Sequence, residues 1–166
     1  MRLALGAAAA ALLVPASQAM PTTRVPSATC EGAIEIVDEP APPPDTLVLG
    51  RVEMPRADEV LPLGQPRYRG AARFAKRGLS VTAGSPVVLV VPRRYRRVYG
   101  IAAGRGRLGA PALRLQPCAA DVKPWTTWAG GYLAWKPVCV WLLVRADGRT
   151  ARVPLNIGRR CTRTAG

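Results

Sequence analysis

Turn-forming residues interrupt this chain at such short intervals that only strand-length segments lie between them. From residue 78 onward, glycine recurs with proline, serine or aspartate, all residues that favour a reversal of chain direction. The predicted turns are Gly78, Ala83 to Pro86, Gly104 to Gly109, Gly130 to Gly131 and Asp147 to Gly148. Outside the first nineteen residues no segment shows a helical period. We therefore predict an all-β fold: a two-sheet antiparallel sandwich, immunoglobulin-like in general architecture, with two disulfides.

The segments between these turns are the predicted strands. They are Gly32 to Asp38, Thr46 to Glu53, Tyr68 to Phe74, Leu79 to Thr82, Val87 to Val91, Val98 to Ala102, Ala112 to Gln116, Tyr132 to Trp135, Val138 to Val144 and Thr150 to Ile157. The proline-rich segment from Glu39 to Asp45 predicts an extended connector, because proline cannot donate a hydrogen bond to a sheet. Pro55 to Pro66 is interpreted as an irregular loop.

The last two predicted strands form the clearest pair. Thr150 to Ile157 alternates apolar and polar residues, which predicts one buried and one solvated face. Asp147 and Gly148 tolerate the positive φ angles of a type I′ turn. We therefore expect Val138 to Val144 to be the antiparallel partner, and its apolar run predicts a central strand.

The N-terminus has the features of an export signal. An apolar stretch from Leu3 to Val14 precedes a small-residue cleavage site, Ser17 to Ala19. A membrane-spanning helix needs about 20 apolar residues, so this shorter stretch predicts a cleavable signal peptide over residues 1–19. Residues 20–29 are then a flexible lead and residues 30–166 a single β-sandwich domain. The protein is expected to be secreted, either extracellular or associated with the cell wall.

Four cysteines occur in the chain, and an even number in an exported protein predicts disulfides. Three pairings are possible. We favour Cys118 with Cys139, which closes a local loop, and Cys30 with Cys161, which fastens the N-terminal region to the C-terminal one. A zinc site is disfavoured because no two cysteines have the close spacing of a metal knuckle.

Charge is distributed unevenly along the chain, whose net charge is +14. Residues 60–166 hold twenty Arg and Lys against two acids, whereas residues 20–59 hold eight acids against three Arg. This asymmetry predicts either an acidic segment lying over a basic surface or a basic surface for polyanions. An arginine excess also fits the codon bias of a GC-rich genome, so composition alone identifies no ligand.

Four arginines follow Pro92 at the end of an apolar strand: Arg93, Arg94, Arg96 and Arg97. Guanidinium groups are planar bidentate donors that suit phosphate and carboxylate. These four are therefore the predicted polyanion-binding residues. Since they fall in both strand phases, we expect them on a strand end and an exposed turn. The alternative is a solvated charge run that only keeps the protein soluble.

Two tryptophans are predicted to stack on sugar rings. Trp125 and Trp128 lie in a Trp-Thr-Thr-Trp segment after Pro124 that is interpreted as a loop. The alternative for such residues is packing in the core. We predict core packing for Trp141, because it shares a strand phase with Cys139.

The composition excludes most classes of catalytic site and metal site. Without histidine there is no Ser-His-Asp triad, no Cys-His pair and no imidazole ligand. Bridged cysteines leave no thiolate, and most carboxylates lie in the proline-broken N-terminal segment. We predict no enzymatic activity, no metal and no cofactor.

The last third of the chain contains a recognisable pattern of cysteine, aromatic and glycine residues. It consists of Cys118, Trp125-Thr-Thr-Trp-Ala-Gly-Gly-Tyr132, Pro137-Val-Cys139-Val and Gly158-Arg-Arg-Cys161. This pattern resembles small secreted actinobacterial proteins without an assigned activity. The resemblance implies export and cysteine pairing, and it supplies no catalytic or binding residues.

These features predict a secreted, non-enzymatic binding module whose basic face contacts anionic cell-wall or surface polymers. The alternative is a disulfide-braced inhibitor of an extracellular hydrolase, which would bind an extracellular protein. No nucleic acid partner is expected, because no recognition motif of that class is present. No transmembrane segment is expected after signal cleavage, because the longest remaining apolar runs have the length of buried strands.

Overall fold

The computed structural model describes residues 25–34, 42–66, 70–104, 109–121 and 124–161. The predicted signal peptide, residues 1–19, lies outside these ranges. So does most of the strand expected from Gly32 to Asp38, whose first residue ends a 3-10 turn, Cys30–Gly32.

The described residues form thirteen β-strands and contain no α-helix. The strands are β1 (Ser27–Ala28), β2 (Leu47–Val48), β3 (Val52–Glu53), β4 (Val60–Leu61), β5 (Arg73–Lys76), β6 (Leu79–Thr82), β7 (Val87–Val90), β8 (Tyr99–Ala103), β9 (Ala112–Leu115), β10 (Trp125–Trp128), β11 (Gly130–Ala134), β12 (Val138–Ala146) and β13 (Arg149–Ile157). The prediction of an all-β fold is confirmed. The strands form three sheets of six, four and three strands.

The largest sheet has the strand order β1-β9-β7-β12-β13-β4. Its inner strands pair antiparallel, whereas the two-residue edge strands β1 and β4 pair parallel with β9 and β13. β1 lies within residues 20–29, the predicted flexible lead, and its two residues pair with Arg114 and Leu115 of β9. The predicted β12–β13 hairpin is confirmed, with φ angles of 50° at Asp147 and 70° at Gly148.

The other two sheets, β10-β6-β3-β2 and β5-β11-β8, are joined by the chain itself. β5 leads into β6 through Arg77 and Gly78, and their respective antiparallel partners, β11 and β10, are separated only by Ala129. The Arg77 N–H donates to the Gly130 carbonyl at 3.0 Å, which bridges the two paired regions. Together they form one bent antiparallel ribbon. The predicted turn at Gly130 to Gly131 is therefore wrong, because both glycines belong to a strand.

Two further predictions are corrected in the N-terminal half. Thr46 to Glu53, expected as one strand, is a hairpin in which β2 and β3 pair around Leu49 and Gly50. Both of these residues have positive φ angles, 57° and 68°, which reverse the chain. The predicted irregular loop from Pro55 to Pro66 contains β4, which pairs with the end of β13.

One hydrophobic core receives side chains from all three sheets. It follows the two-residue period of the strands: Val140, Leu142 and Val144 of β12 are fully buried, while the alternate residues are not. Trp128 and Tyr132, from the bent ribbon, are among its largest buried side chains.

Both disulfides predicted from the cysteine count are present, but the favoured pairing is wrong. Cys30 bonds to Cys118, and Cys139 bonds to Cys161. Parallel pairing of β1 with β9 brings Cys30, just after β1, next to Cys118, just after β9. Cys139 lies opposite Asn156 in the β12–β13 ladder, and the Asn156 side chain accepts the Cys161 N–H at 2.6 Å. Each cysteine therefore meets its partner through strand pairing that the sequence spacing does not reveal.

Candidate anion-binding site

The predicted arginine run forms an ordered turn between β7 and β8. Arg93–Tyr95 is a 3-10 turn that begins after Pro92. The Tyr95 N–H donates to the Pro92 carbonyl at 2.9 Å, and the Val98 N–H donates to the Tyr95 carbonyl at 2.9 Å. The strands on both sides are paired within sheets. We call residues 93–97 the basic turn, and the expectation that the arginines lie at a strand end and on an exposed turn is confirmed.

All four arginines of the basic turn are exposed. The Arg96 Nε–H donates to the Val91 carbonyl at 3.0 Å, which holds that side chain while leaving other guanidinium donors open. The Arg94 guanidinium lies over the Tyr95 ring, 4.7 Å from its centroid, at a distance where the cation and the aromatic ring attract each other. Two of the four cations are thus held by the turn itself, which reduces the entropy lost when they bind an anion.

The acidic residues of segment 42–59 pair elsewhere. Glu53 and Glu59 both bind Arg77, at 3.0 and 3.1 Å. Asp45 and Asp58 lie 3.9 and 3.8 Å from Arg56 in exposed pairs. Among the described residues, no salt bridge involves an arginine of the basic turn. Within these ranges its positive charges are not neutralised by a carboxylate.

The two tryptophans predicted to bind sugar are not presented on a loop. Trp125 and Trp128 lie in β10, which pairs antiparallel with β6. Trp128 is fully buried, and its indole Nε1–H donates to the Thr29 carbonyl at 2.8 Å. Because no face of that ring is open, stacking of Trp128 on a sugar is ruled out. Trp125 is half-buried at the end of the strand, opposite Thr82.

Trp135 is the exposed tryptophan that the sequence analysis did not single out. It follows β11, and 49% of its surface is open to solvent. Its N–H donates to the Val98 carbonyl at 3.3 Å, one residue beyond Arg97. The signal for it was the alternation along β11: Tyr132 and Ala134 are buried, so Trp135 belongs to the opposite, outer face.

Trp141 was predicted to pack in the core, and that prediction is wrong. The buried residues of β12 alternate with Trp141 along the strand, so Trp141 lies half-buried on the outer face. There the Arg152 guanidinium lies 4.8 Å from the ring centroid. The cation covers part of an indole that the core does not enclose.

In the described part of the chain, three titratable groups have shifted pKa values, and all three lie outside the basic turn. Burial raises the pKa of the Tyr99 and Tyr132 hydroxyls, whose rings stack with centroids 5.8 Å apart. The hydrogen bond from the Ser85 hydroxyl, assisted by Arg51, lowers the pKa of Asp147. The buried tyrosines are therefore protonated at neutral pH, and Asp147 is ionised.

The described residues offer no cluster of three or more His, Cys, Asp or Glu side chains able to hold a metal ion. Within the same ranges, no helix has the length and apolar character needed to span a bilayer. Comparison of the chain with protein families and with curated proteins finds no match in either.

Proposed function

We propose that this protein is an exported, non-enzymatic binding module that contacts anionic cell-wall or surface polymers through the basic turn. The observation on which this proposal depends is the concentration of four exposed guanidinium groups on one hydrogen-bonded turn, unpaired with carboxylates within the described residues. A flexible charged tail would also attract anions, but it would have to be ordered on binding. The basic turn is already ordered by its own backbone hydrogen bonds.

A polymer is the ligand that this arrangement favours. A single exposed ion pair contributes only about 0–1 kcal/mol, so one phosphate or carboxylate on one arginine would be held weakly. Repeated anionic groups on one chain can engage several arginines together, and each later contact is intramolecular. Arginine also forms bidentate hydrogen bonds with phosphate and carboxylate.

Export and the sandwich architecture are parts of the same proposal. Two disulfides support export, since such bonds form and persist mainly in oxidising compartments. The proposed sandwich is immunoglobulin-like in general architecture, and the single core that the large sheet and the bent ribbon share supports its two layers. The sequence pattern that resembles small secreted actinobacterial proteins supports export as well.

The test is retention of the purified protein on an immobilised anionic polymer at low salt. We expect the wild-type protein to be retained on polygalacturonate and on polyphosphate, and to elute as salt shortens the Debye length to about 8 Å near 0.15 M and about 3 Å at 1 M. Simultaneous change of Arg93, Arg94, Arg96 and Arg97 to Gln should abolish retention.

The control removes the same charge from other exposed positions. Arg114, Arg145, Arg159 and Arg160 are exposed and lie outside the basic turn. Their replacement by Gln should leave most of the retention, although the net charge falls equally in both variants. Equal loss of retention in both variants, or retention that ignores salt, would reject the basic turn as the binding site.

A further inference from the structure

The outer face of the three-stranded sheet carries an aromatic surface beside the basic turn. Phe74 of β5 lies directly opposite Leu133 of β11, and Trp135 lies two residues beyond Leu133 on the same face. Phe74 and Trp135 are 37% and 49% exposed, while Leu133 is half-buried between them. We call Phe74, Leu133 and Trp135 the aromatic stripe.

Two backbone segments lie in close contact next to the aromatic stripe. Leu133 lies opposite Gly100 in the β11–β8 ladder. A Cβ placed on Gly100 would lie 2.4 Å from the Gly109 Cα, so the two backbones touch where other residues would project a side chain. Neither glycine raises a side chain next to Leu133. A Cβ placed on Gly109 would lie 3.5 Å from the Leu133 Cδ1, so backbone covers this side of Leu133 and the open part of the stripe is formed by Phe74 and Trp135.

Basic residues flank the stripe along its strands. Lys76 shares the outer face of β5 with Phe74, and Lys136 follows Trp135; both are exposed. Arg97 of the basic turn precedes Val98, whose carbonyl accepts the Trp135 N–H. The Trp135 backbone is therefore hydrogen-bonded to the residue that follows the basic turn, which places this end of the aromatic stripe next to that turn.

We propose that the aromatic stripe and the basic turn together bind an acidic polysaccharide, with Trp135 stacking on a sugar ring and the arginines binding its carboxylate or phosphate groups. This inference rests on the proposed function and specifies its ligand. Charge alone would serve any polyanion, but exposed aromatic rings next to the charges favour a polymer with apolar ring faces. Polyphosphate has no such face. Single-stranded nucleic acid has bases that stack, but the two disulfides favour a compartment where a glycan is the commoner polyanion.

The test compares four polymers on the purified protein: polygalacturonate, its neutral methyl ester, polyphosphate and single-stranded oligothymidylate. Trp135→Ala is the main variant, and an exposed residue of this kind can be removed with little effect on folding. We expect it to weaken polygalacturonate binding about 3- to 10-fold, while polyphosphate binding changes less than about twofold. Val60→Ala, which truncates an apolar residue of 37% exposure elsewhere, is the matched control and should change neither.

Tryptophan fluorescence provides a second readout. Polygalacturonate should shift or quench the emission of the wild-type protein, and the Trp135→Ala variant should lose that response, because Trp128 is buried and the half-buried Trp125 and Trp141 lie outside the aromatic stripe. If polygalacturonate and polyphosphate are both retained and Trp135→Ala affects neither, the polysaccharide inference fails and the basic turn still binds anions. If the wild-type protein binds none of the anionic polymers, the proposed function itself fails. Tighter, Trp135-dependent binding of oligothymidylate would overturn the inference in favour of nucleic acid.

Discussion

A single arginine, Arg51, ties together three loops at one end of the molecule. Its Nη1 donates to both carboxylate oxygens of Asp147, at 3.0 and 3.1 Å, and its Nε donates to the Thr82 hydroxyl at 2.8 Å. Its Nη2 donates to the Ser85 carbonyl at 2.7 Å, and the Ser85 hydroxyl donates to Asp147. The β2–β3 turn, the β6–β7 connection and the β12–β13 hairpin are joined in this way. Ionised Asp147 is the acceptor that the network requires.

We predict that Asp147→Asn lowers stability at neutral pH and weakens its acid dependence. The pKa of Asp147 is lowered in the folded state, so the carboxylate stabilises the fold at pH values above its ordinary pKa of 3.8. This stabilisation is lost as the pH falls through the folded-state pKa. Asparagine keeps the turn, since it tolerates positive φ. Melting temperatures measured by circular dichroism at pH 7 and pH 3 should therefore differ less for Asp147→Asn than for the wild type.

The control for this experiment is Asp45→Asn. Asp45 lies in an exposed, 3.9 Å pair with Arg56, which contributes little. The melting temperatures of the Asp45→Asn variant should match those of the wild-type protein at pH 7 and at pH 3. If Asp147→Asn retained the full acid dependence of the wild type, the Arg51 network would not be the source of it.

At the scale of single elements, the close packing of the antiparallel ribbon requires glycine at the first two residues of β11. Gly131 has a φ angle of 152°, and a Cβ placed there would lie 2.1 Å from the Ala75 carbonyl oxygen. A Cβ on Gly130 would lie 2.3 Å from the Ala102 carbonyl oxygen. Both contacts are with backbone of neighbouring strands, which cannot move aside without breaking the sheet. Glycine is required at both positions because the neighbouring strands approach them so closely.

We predict that Gly131→Ala destabilises the protein by about 2 kcal/mol or more, since backbone strain and a steric clash act together. Gly32→Ala is the matched control: a Cβ there meets no atom within 4 Å and its φ is not in the positive region. Urea unfolding followed by circular dichroism measures both variants. Similar stabilities for the two variants would show that the ribbon accommodates a side chain at its bend.

The same elements show what the sequence can and cannot predict. β6, Leu79–Thr82, has its predicted bounds, and the β12–β13 hairpin was predicted, because turn chemistry and alternation are local. The sequence predicts a loop where β10 lies, because the strand is formed by pairing of its threonines with β6, which is distant in sequence. The sequence predicts a turn at Gly130 and Gly131, because the close approach of Ala75 and Ala102 that requires glycine there comes from other strands.

The same difference between local and long-range causes applies to the candidate site. The basic turn was predicted because Pro92 and the alternating phases of its arginines lie within one segment. Trp135 was missed because its place beside Arg97 depends on pairing of β11 with β8. Burial of Trp128 likewise depends on Thr29, 99 residues away in sequence. Local sequence predicts the charges of the surface, and only the sheet shows which aromatic residue accompanies them.

On the scale of the whole molecule, the two disulfides fasten segments that have few other ties. Cys30 follows β1, a two-residue strand at one edge of the large sheet, and Cys118 anchors it beside β9. Cys161 lies beyond the end of β13 and is bonded to Cys139 near the start of β12. The bonds span very different lengths of chain, with sequence separations of 88 and 22 residues. Their contributions to stability should differ accordingly.

We predict that removing the Cys30–Cys118 bond costs more stability than removing the Cys139–Cys161 bond. Loop-closure entropy gives about 4.5 kcal/mol for a separation of 88 residues and about 3.5 kcal/mol for 22. The experiment replaces each pair of cysteines by serine and measures the free energy of unfolding in urea, so that each variant is the other's control. A larger loss for the Cys139–Cys161 variant would mean that local packing, such as the hydrogen bond between Asn156 and the Cys161 N–H, outweighs loop length. The expected order follows because the longer cross-link restricts the unfolded chain more.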